Sequence, residues 1–169
     1  MAEEKTNVMR ILDQKKISYT PHTYPCSGGA VDGATVAGLI GVAPERVFKT
    51  LVTRGASRQN YVFVVPVMQS LNLKAAARAV GEKSIEMIHQ AELLPLTGYV
   101  HGGCSPVGMK KQLRTVIDDS AQGLEAMVVS AGKIGFQVEL SPADLAGLAR
   151  ARFAPVTGSV YFIRQKMAC

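Results

Sequence analysis

The sequence of 169 residues has few of the residue patterns that announce a function directly. Its three cysteines, Cys26, Cys104 and Cys169, are far apart and contain no C-x-x-C, which excludes a zinc ribbon and a thioredoxin-type pair. The three histidines, His22, His89 and His101, also lack metal-ligand spacing, so neither a metal nor another cofactor is expected. No segment reaches the roughly 18 consecutive apolar residues of a membrane helix. Met1-Ala2-Glu3-Glu4-Lys5 lacks the basic-then-apolar order of a secretory leader. These absences predict a soluble, cytoplasmic chain without a membrane partner. With no repeat, low-complexity tract or linker, one domain over residues 1–169 is expected.

What is present is ordinary globular composition, 47% hydrophobic and 19% charged, with a basic excess of 19 Lys and Arg over 13 Asp and Glu. A net charge of +6 is compatible with a phosphate-rich partner such as RNA, because cations displace condensed counterions. Many basic proteins bind no nucleic acid, so charge alone leaves both readings open.

Periodicity and punctuation predict a helix over about Glu3–Lys16, with Val8, Ile11, Leu12 and Lys15 on one face, then a strand over Ile17–Tyr24 near a sheet edge because of Pro21. Asp32 caps a helix to Ile40, with Gly41 as its stop. Val47–Arg54 and Tyr61–Met68 read as a hairpin, Leu73–Val80 as a helix ended by Gly81, and Ile88–Leu94 as a short helix stopped before Pro95. Short strands are expected at Gly98–His101, Leu113–Ile117, Ala126–Ser130, Phe136–Leu140 and Ser159–Arg164. Ser141-Pro142 should start a helix running to about Ala149. Strands outnumber helices and the two mix irregularly, which predicts an α/β (mixed α+β) fold with a mostly antiparallel, barrel-like sheet and flanking helices.

Two stretches carry candidate chemistry. Gly102, Gly103, Pro106 and Gly108 surround Cys104 and Ser105, followed by Lys110, Lys111 and Arg114. Glycines let backbone N–H groups approach phosphate or carbonyl oxygens, and the cations would attract phosphate; a tight turn with a solvated basic edge explains the same residues. Lys49 lies in the apolar run Val47–Val52, opposite Phe48 and Thr50 by strand alternation. It is either a rigidly held cation in a cleft or a lysine on a wet face. Cys104 invites a nucleophile reading, but no base is assigned to it and a packed thiol is the simpler view. Gly132-Lys133-Ile134-Gly135 lacks the G-x-x-x-x-G-K-S/T spacing of a phosphate loop and fits a hairpin turn.

The segments His22-Thr23-Tyr24, Val47-Phe48-Lys49-Thr50-Leu51, Leu71-Asn72-Leu73-Lys74, Thr97-Gly98-Tyr99, Gly102 to Lys111, Val129-Ser130-Ala131-Gly132-Lys133 and Val138-Glu139-Leu140 together resemble the YbaK/EbsC family, relatives of the editing domain of bacterial prolyl-tRNA synthetases. F-K-T-L with G-G-x-S-P-x-G-x-K-K is a specific pair of motifs, and the likeness spans about Asn7 to Phe153. The resemblance implies a mixed α/β editing-domain fold and a trans-editing aminoacyl-tRNA deacylase. Its substrate would be cysteine on tRNA(Pro), or another small amino acid such as alanine; a non-catalytic tRNA- or synthetase-binding module is the alternative. It implies aminoacyl-tRNA and prolyl-tRNA synthetase as partners, with no DNA. By resemblance Lys49 is the essential lysine at the phosphate or ribose end of the acceptor strand. Gly102, Gly103, Ser105 and Pro106 would form the loop holding the terminal adenosine and ester, and Tyr24, Thr50 and Ser105 would line the pocket. Gln137 stands where the cysteine-specific branch can carry an acid. In that branch the substrate's own thiol is implied to attack its ester, so no protein nucleophile is required.

Overall fold

The computed structural model describes residues 4–26 and 29–158. Helix α1 (Asn7–Gln14) begins where the Thr6 hydroxyl accepts from the Met9 N–H, and it buries Val8, Met9 and Leu12. It is shorter than the expected Glu3–Lys16 span, because Thr6 caps it and Lys16 turns to a left-handed φ of 58°. Three further helices have the expected bounds. Asp32 and left-handed Gly41 bracket α2 (Gly33–Ile40), Asn72 and Gly81 bracket α3 (Leu73–Val80), and Ser141 caps α5 (Pro142–Ala149). Helix α4 (Gln90–Thr97) differs. It does not stop before Pro95 but continues to Gly98, since proline there removes a single donor near the helix end.

The strands are β1 (Thr20–Thr23), β2 (Phe48–Gly55), β3 (Asn60–Pro66), β4 (Ile85–Met87), β5 (Arg114–Asp118), β6 (Met127–Ser130), β7 (Phe136–Leu140) and β8 (Arg152–Ala154). They form a three-stranded sheet, β1-β7-β6, and a five-stranded sheet, β4-β2-β3-β5-β8. Pairing is mostly antiparallel, as expected; the links β3–β5 and β5–β8 are parallel. The sheets stay open and do not close into a barrel. They meet at one parallel bridge, Val47 to Val128.

The expected strand at Gly98–His101 does not form. Gly98 is the left-handed cap of α4, the Tyr99 N–H bonds the Thr97 hydroxyl, and the Gly103 N–H turns back to the Val100 carbonyl, leaving no ladder. Strands β4 and β8 escaped the sequence reading because three residues carry no period. The expected Ser159–Arg164 strand lies outside the described residues.

Strand β3 is buried on both faces, which explains its unbroken apolar run. Val62 and Val64 join a core with Val8, Leu12, Ile117, Met127, Val138 and Leu145, while Tyr61, Phe63 and Val65 pack against Ala76, Ala77 and Val80 of α3. Helix α2 covers the junction of the sheets by placing Ala37 on Val47 and Val128. A Cβ at Gly33 would come within 2.4 Å of Val67, so only glycine lets α2 start this close to the hairpin.

Candidate active site

Beyond the Val47–Val128 bridge the two sheets no longer pair, and a cavity of about 340 Å³ opens between them. The bridge sets the register of its walls: two residues on from Val47 is Lys49, two on from Val128 is Ser130, and Ser130 is paired to Gln137 on β7. Tyr24 follows β1, Asp32 and Gly33 begin α2, and His101, Gly102 and Cys104 come from the glycine loop. Phe48, Val36 and Leu93 add apolar surface. Strand β4 pairs with β2 from Thr53 onward and the Ile88 N–H reaches the Val52 carbonyl, so among the described residues the edge from Phe48 to Leu51 has no strand beside it. The cavity meets this edge. That is why Phe48, Lys49 and Thr50 all reach it, although alternation puts Lys49 opposite its two neighbours.

Three polar side chains in the wall have no partner among the described residues. Lys49 is half-buried, makes no hydrogen bond or ion pair with a described residue, and has its ammonium pKa lowered by burial alone. The Thr50 hydroxyl is buried without a hydrogen bond. Gln137 is 6% exposed, and its side-chain amide bonds no described residue. Buried polar groups are normally paired, and unpaired ones aimed into a cavity are what a ligand would satisfy.

The structure brings together Lys49, Tyr24, Thr50, Gly102 and Gln137 of the residues singled out from sequence. It leaves Gly103, Ser105 and Pro106 off the cavity wall. Ser105 is fully buried and its oxygen accepts from the Val107 N–H, whereas Pro106 lines a small cleft beside α1 and α5. Gly102 has a φ of +88°, and a Cβ there would lie 2.7 Å from Ala30; at Gly103 a Cβ would lie 3.1 Å from the Ile134 nitrogen. The glycines therefore let the loop press on the 30–33 segment and on the β6–β7 turn. That turn spans residues 131–135, with positive φ at Gly132 and Gly135. The cations after the loop do not line the cavity. Lys110 and Lys111 are exposed, and Arg114 donates to the Val80 carbonyl and lies 6.0 Å from the Tyr61 ring.

Asp32, Ser130 and His101 were not assigned to a site from sequence. Asp32 is visible in the sequence only as a helix cap, and Ser130 arrives through the bridge between the distant segments of Val47 and Val128. Cys104 lies in the wall with its thiol pushed up to about 12 by burial, which keeps it protonated. His22 pairs with Glu139 at 2.8 Å and does not reach the cavity. Among the described residues no three His, Cys, Asp or Glu side chains gather as a metal site.

The sequence model of the aminoacyl-tRNA editing domain matches residues 29–148. A protein of Enterococcus faecalis named as a candidate Cys-tRNA(Pro)/Cys-tRNA(Cys) deacylase, EbsC, is 43% identical over 155 residues, 92% of this chain and 94% of that protein. Proline–tRNA ligase of Pelobacter propionicus is 27% identical over 100 residues, covering 59% of this chain and 17% of the ligase. A solved structure described as a candidate trans-editing enzyme for prolyl-tRNA synthetase shares the fold, with a TM-score of 0.79 at 23% identity over 93% of this chain and 100% of that one. The chain belongs to the aminoacyl-tRNA editing domain family.

Proposed function

We propose that the chain is a single editing domain that acts in trans as an aminoacyl-tRNA deacylase and removes cysteine from mischarged tRNA(Pro). The observation that carries the reading is Lys49, a cation held in the wall of the cavity without a counter-ion among the described residues. An ammonium so placed attracts the phosphate or ribose end of an acceptor strand, and burial strengthens that attraction relative to water. The cavity is at the small end of the range for ligand sites, which suits an aminoacyl ester and its ribose.

An aminoacyl ester is already activated, so positioning and oriented dipoles suffice for much of the rate. With Cys104 protonated, the substrate's own thiol is the nucleophile of this reading. Its sulfur bonds to the ester carbon and the carbon–oxygen bond to the ribose breaks. The thiol proton passes to the ribose oxygen, and the cyclic thioester released is hydrolysed by water. Lys49 and the unpaired edge of β2 hold the ester for this step, with Gly102, Tyr24, Thr50 and Gln137 around it. Transfer RNA identity is supplied by prolyl-tRNA synthetase, the proposed partner, in the cytoplasm where charged tRNA is handled.

Gln137 supports a second reading in which the amino acid removed is alanine, since a neutral amide replaces an acid at that place in the cysteine-specific branch. Deacylation of Cys-, Ala- and Pro-tRNA(Pro) by wild type beside Lys49→Ala decides among these. Preferential turnover of the cysteine ester, lost in the variant, is expected, and a serine ester should be spared because it lacks the thiol. Preference for alanine would move the specificity. Turnover no faster than spontaneous hydrolysis would leave a non-catalytic tRNA- or synthetase-binding module.

A further inference from the structure

The cavity wall contains one fixed cation, Lys49, and one carboxylate, Asp32. An aminoacyl ester has the complementary charges at its two ends: phosphate beyond the ribose and an ammonium beside the ester. The proposed function gives Lys49 the anionic end and leaves the ammonium without a partner. We propose that Asp32, with the Gln137 amide, forms the subsite that binds the substrate's α-ammonium group. This inference rests on the deacylase reading but assigns a residue that reading does not use.

Several observations converge on Asp32. Its Oδ1 accepts the Thr35 N–H at 3.0 Å and its Oδ2 the Thr35 hydroxyl at 2.7 Å, so one residue fixes the whole carboxylate. Each oxygen keeps a second lone pair, and the group lines the cavity mouth rather than forming an ion pair. The hydrogen bonds from Thr35 hold its pKa below the usual carboxylate range, so it is charged at neutral pH. Gly33, with no room for a Cβ beside Val67, fixes the start of α2 against the hairpin and thereby sets where Asp32 stands.

Gln137 supplies the independent observation. The residue is 6% exposed, its side chain has no partner among the described residues, and it lines the same cavity. Its carbonyl oxygen is an acceptor suited to an ammonium, and one neutral plus one charged acceptor satisfy two of the three N–H donors. Gln137 has no charge of its own, which makes Asp32 the source of negative charge in this wall.

The test is a cycle of two proteins and two esters. Asp32→Asn keeps an oxygen for the Thr35 N–H, because asparagine caps as well as aspartate, removes the charge, and turns the Thr35 hydroxyl from donor into acceptor of the new amide N–H. Cysteinyl-tRNA(Pro) is compared with 3-mercaptopropionyl-tRNA(Pro), which keeps the thiol and lacks the amine. Wild type should prefer the cysteinyl ester by about tenfold or more in kcat/KM, the usual weight of a charged hydrogen bond, and Asp32→Asn should erase most of that preference. Equal losses on both esters, or no loss, would overturn the assignment.

Binding of the corresponding non-hydrolysable 3′-amide-linked adenosines, measured by calorimetry, separates this result from the fate of the deacylase reading. Asp32-dependent preference for the amine without ester cleavage would sustain the subsite and overturn the deacylase. Cleavage with no preference for the amine in either assay would do the reverse.

Discussion

Arg46, just before β2, donates to the Glu139 carboxylate on β7 and so joins the two sheets across the junction from which the cavity opens. The same guanidinium donates through Nε to the Ala126 carbonyl at 3.3 Å, and His22 lies 2.8 Å from the other oxygen of Glu139. Glu139→Gln keeps the shape and removes the charge that Arg46 faces. A loss of about 1–3 kcal/mol is expected, the range for hydrogen bonds to charged groups, read as a lower urea midpoint with an unchanged slope.

The same junction makes stability depend on pH. Burial first, and then the Arg46 charge, hold the His22 pKa below its usual 6.5. Protonation therefore costs more in the folded chain than in the unfolded one. The stability contributed by neutral His22 is complete above pH 6.5 and is lost as pH falls through the lower folded value. Unfolding free energies on the acid side of pH 6.5 should rise with pH, and His22→Gln should flatten that slope.

Burial also gives Lys49 a testable signature. Its pKa lies below the ordinary 10.5, so kcat/KM should fall on an alkaline limb earlier than a solvated lysine would dictate, and Lys49→Arg should move that limb upward. Lys49→Met should abolish deacylation yet raise stability by about 1 kcal/mol, since the variant no longer buries an unpaired charge.

Cys104 should be chemically quiet. With its thiol pushed from 9.0 to about 12, its thiolate fraction at neutral pH is about a thousandfold below that of an ordinary cysteine. Iodoacetamide labelling of the native protein, followed by peptide mass spectrometry, should modify Cys104 more slowly than a free thiol by a comparable factor. Unfolding should restore ordinary reactivity.

Gly102→Ala tests the loop without touching a polar group. Alanine at a φ of +88° is strained, and its Cβ would lie 2.7 Å from Ala30. We expect a loss of about 1–2 kcal/mol and a lower kcat/KM, because relief requires the loop or the 30–33 segment to shift, and both line the cavity. Melting curves and the deacylation assay check the two effects separately.

Local signals made much of this fold legible. Gly81, Asp32 with Gly41, and Ser141 each mark a helix end that is set by hydrogen bonds between near neighbours. Where distance along the chain decides the outcome, sequence pattern was silent. Strand β8 has three residues and exists because β5 offers a parallel edge, and the Val47–Val128 bridge is what brings Ser130 to the cavity that Lys49 lines. The site followed the same division: Lys49 and Gly102 stand in local motifs that sequence exposes. Asp32 both caps α2 and lines the cavity, and only the cap is a local signal. Ser105 and Pro106 share the loop's motif, yet one bonds its own backbone and the other faces a different cleft.

The edge of β2 from Phe48 to Leu51, unpaired among the described residues, has a consequence for how such a site can change over time. Main-chain donors and acceptors along that edge persist whatever side chains occupy the strand, so the frame proposed to hold the ester is insulated from substitution. Tyr24, Asp32, Cys104 and Gln137 reach the cavity from four separate segments, none of them on β2. A new amino-acid preference is then a short mutational walk over a scaffold that keeps its reaction.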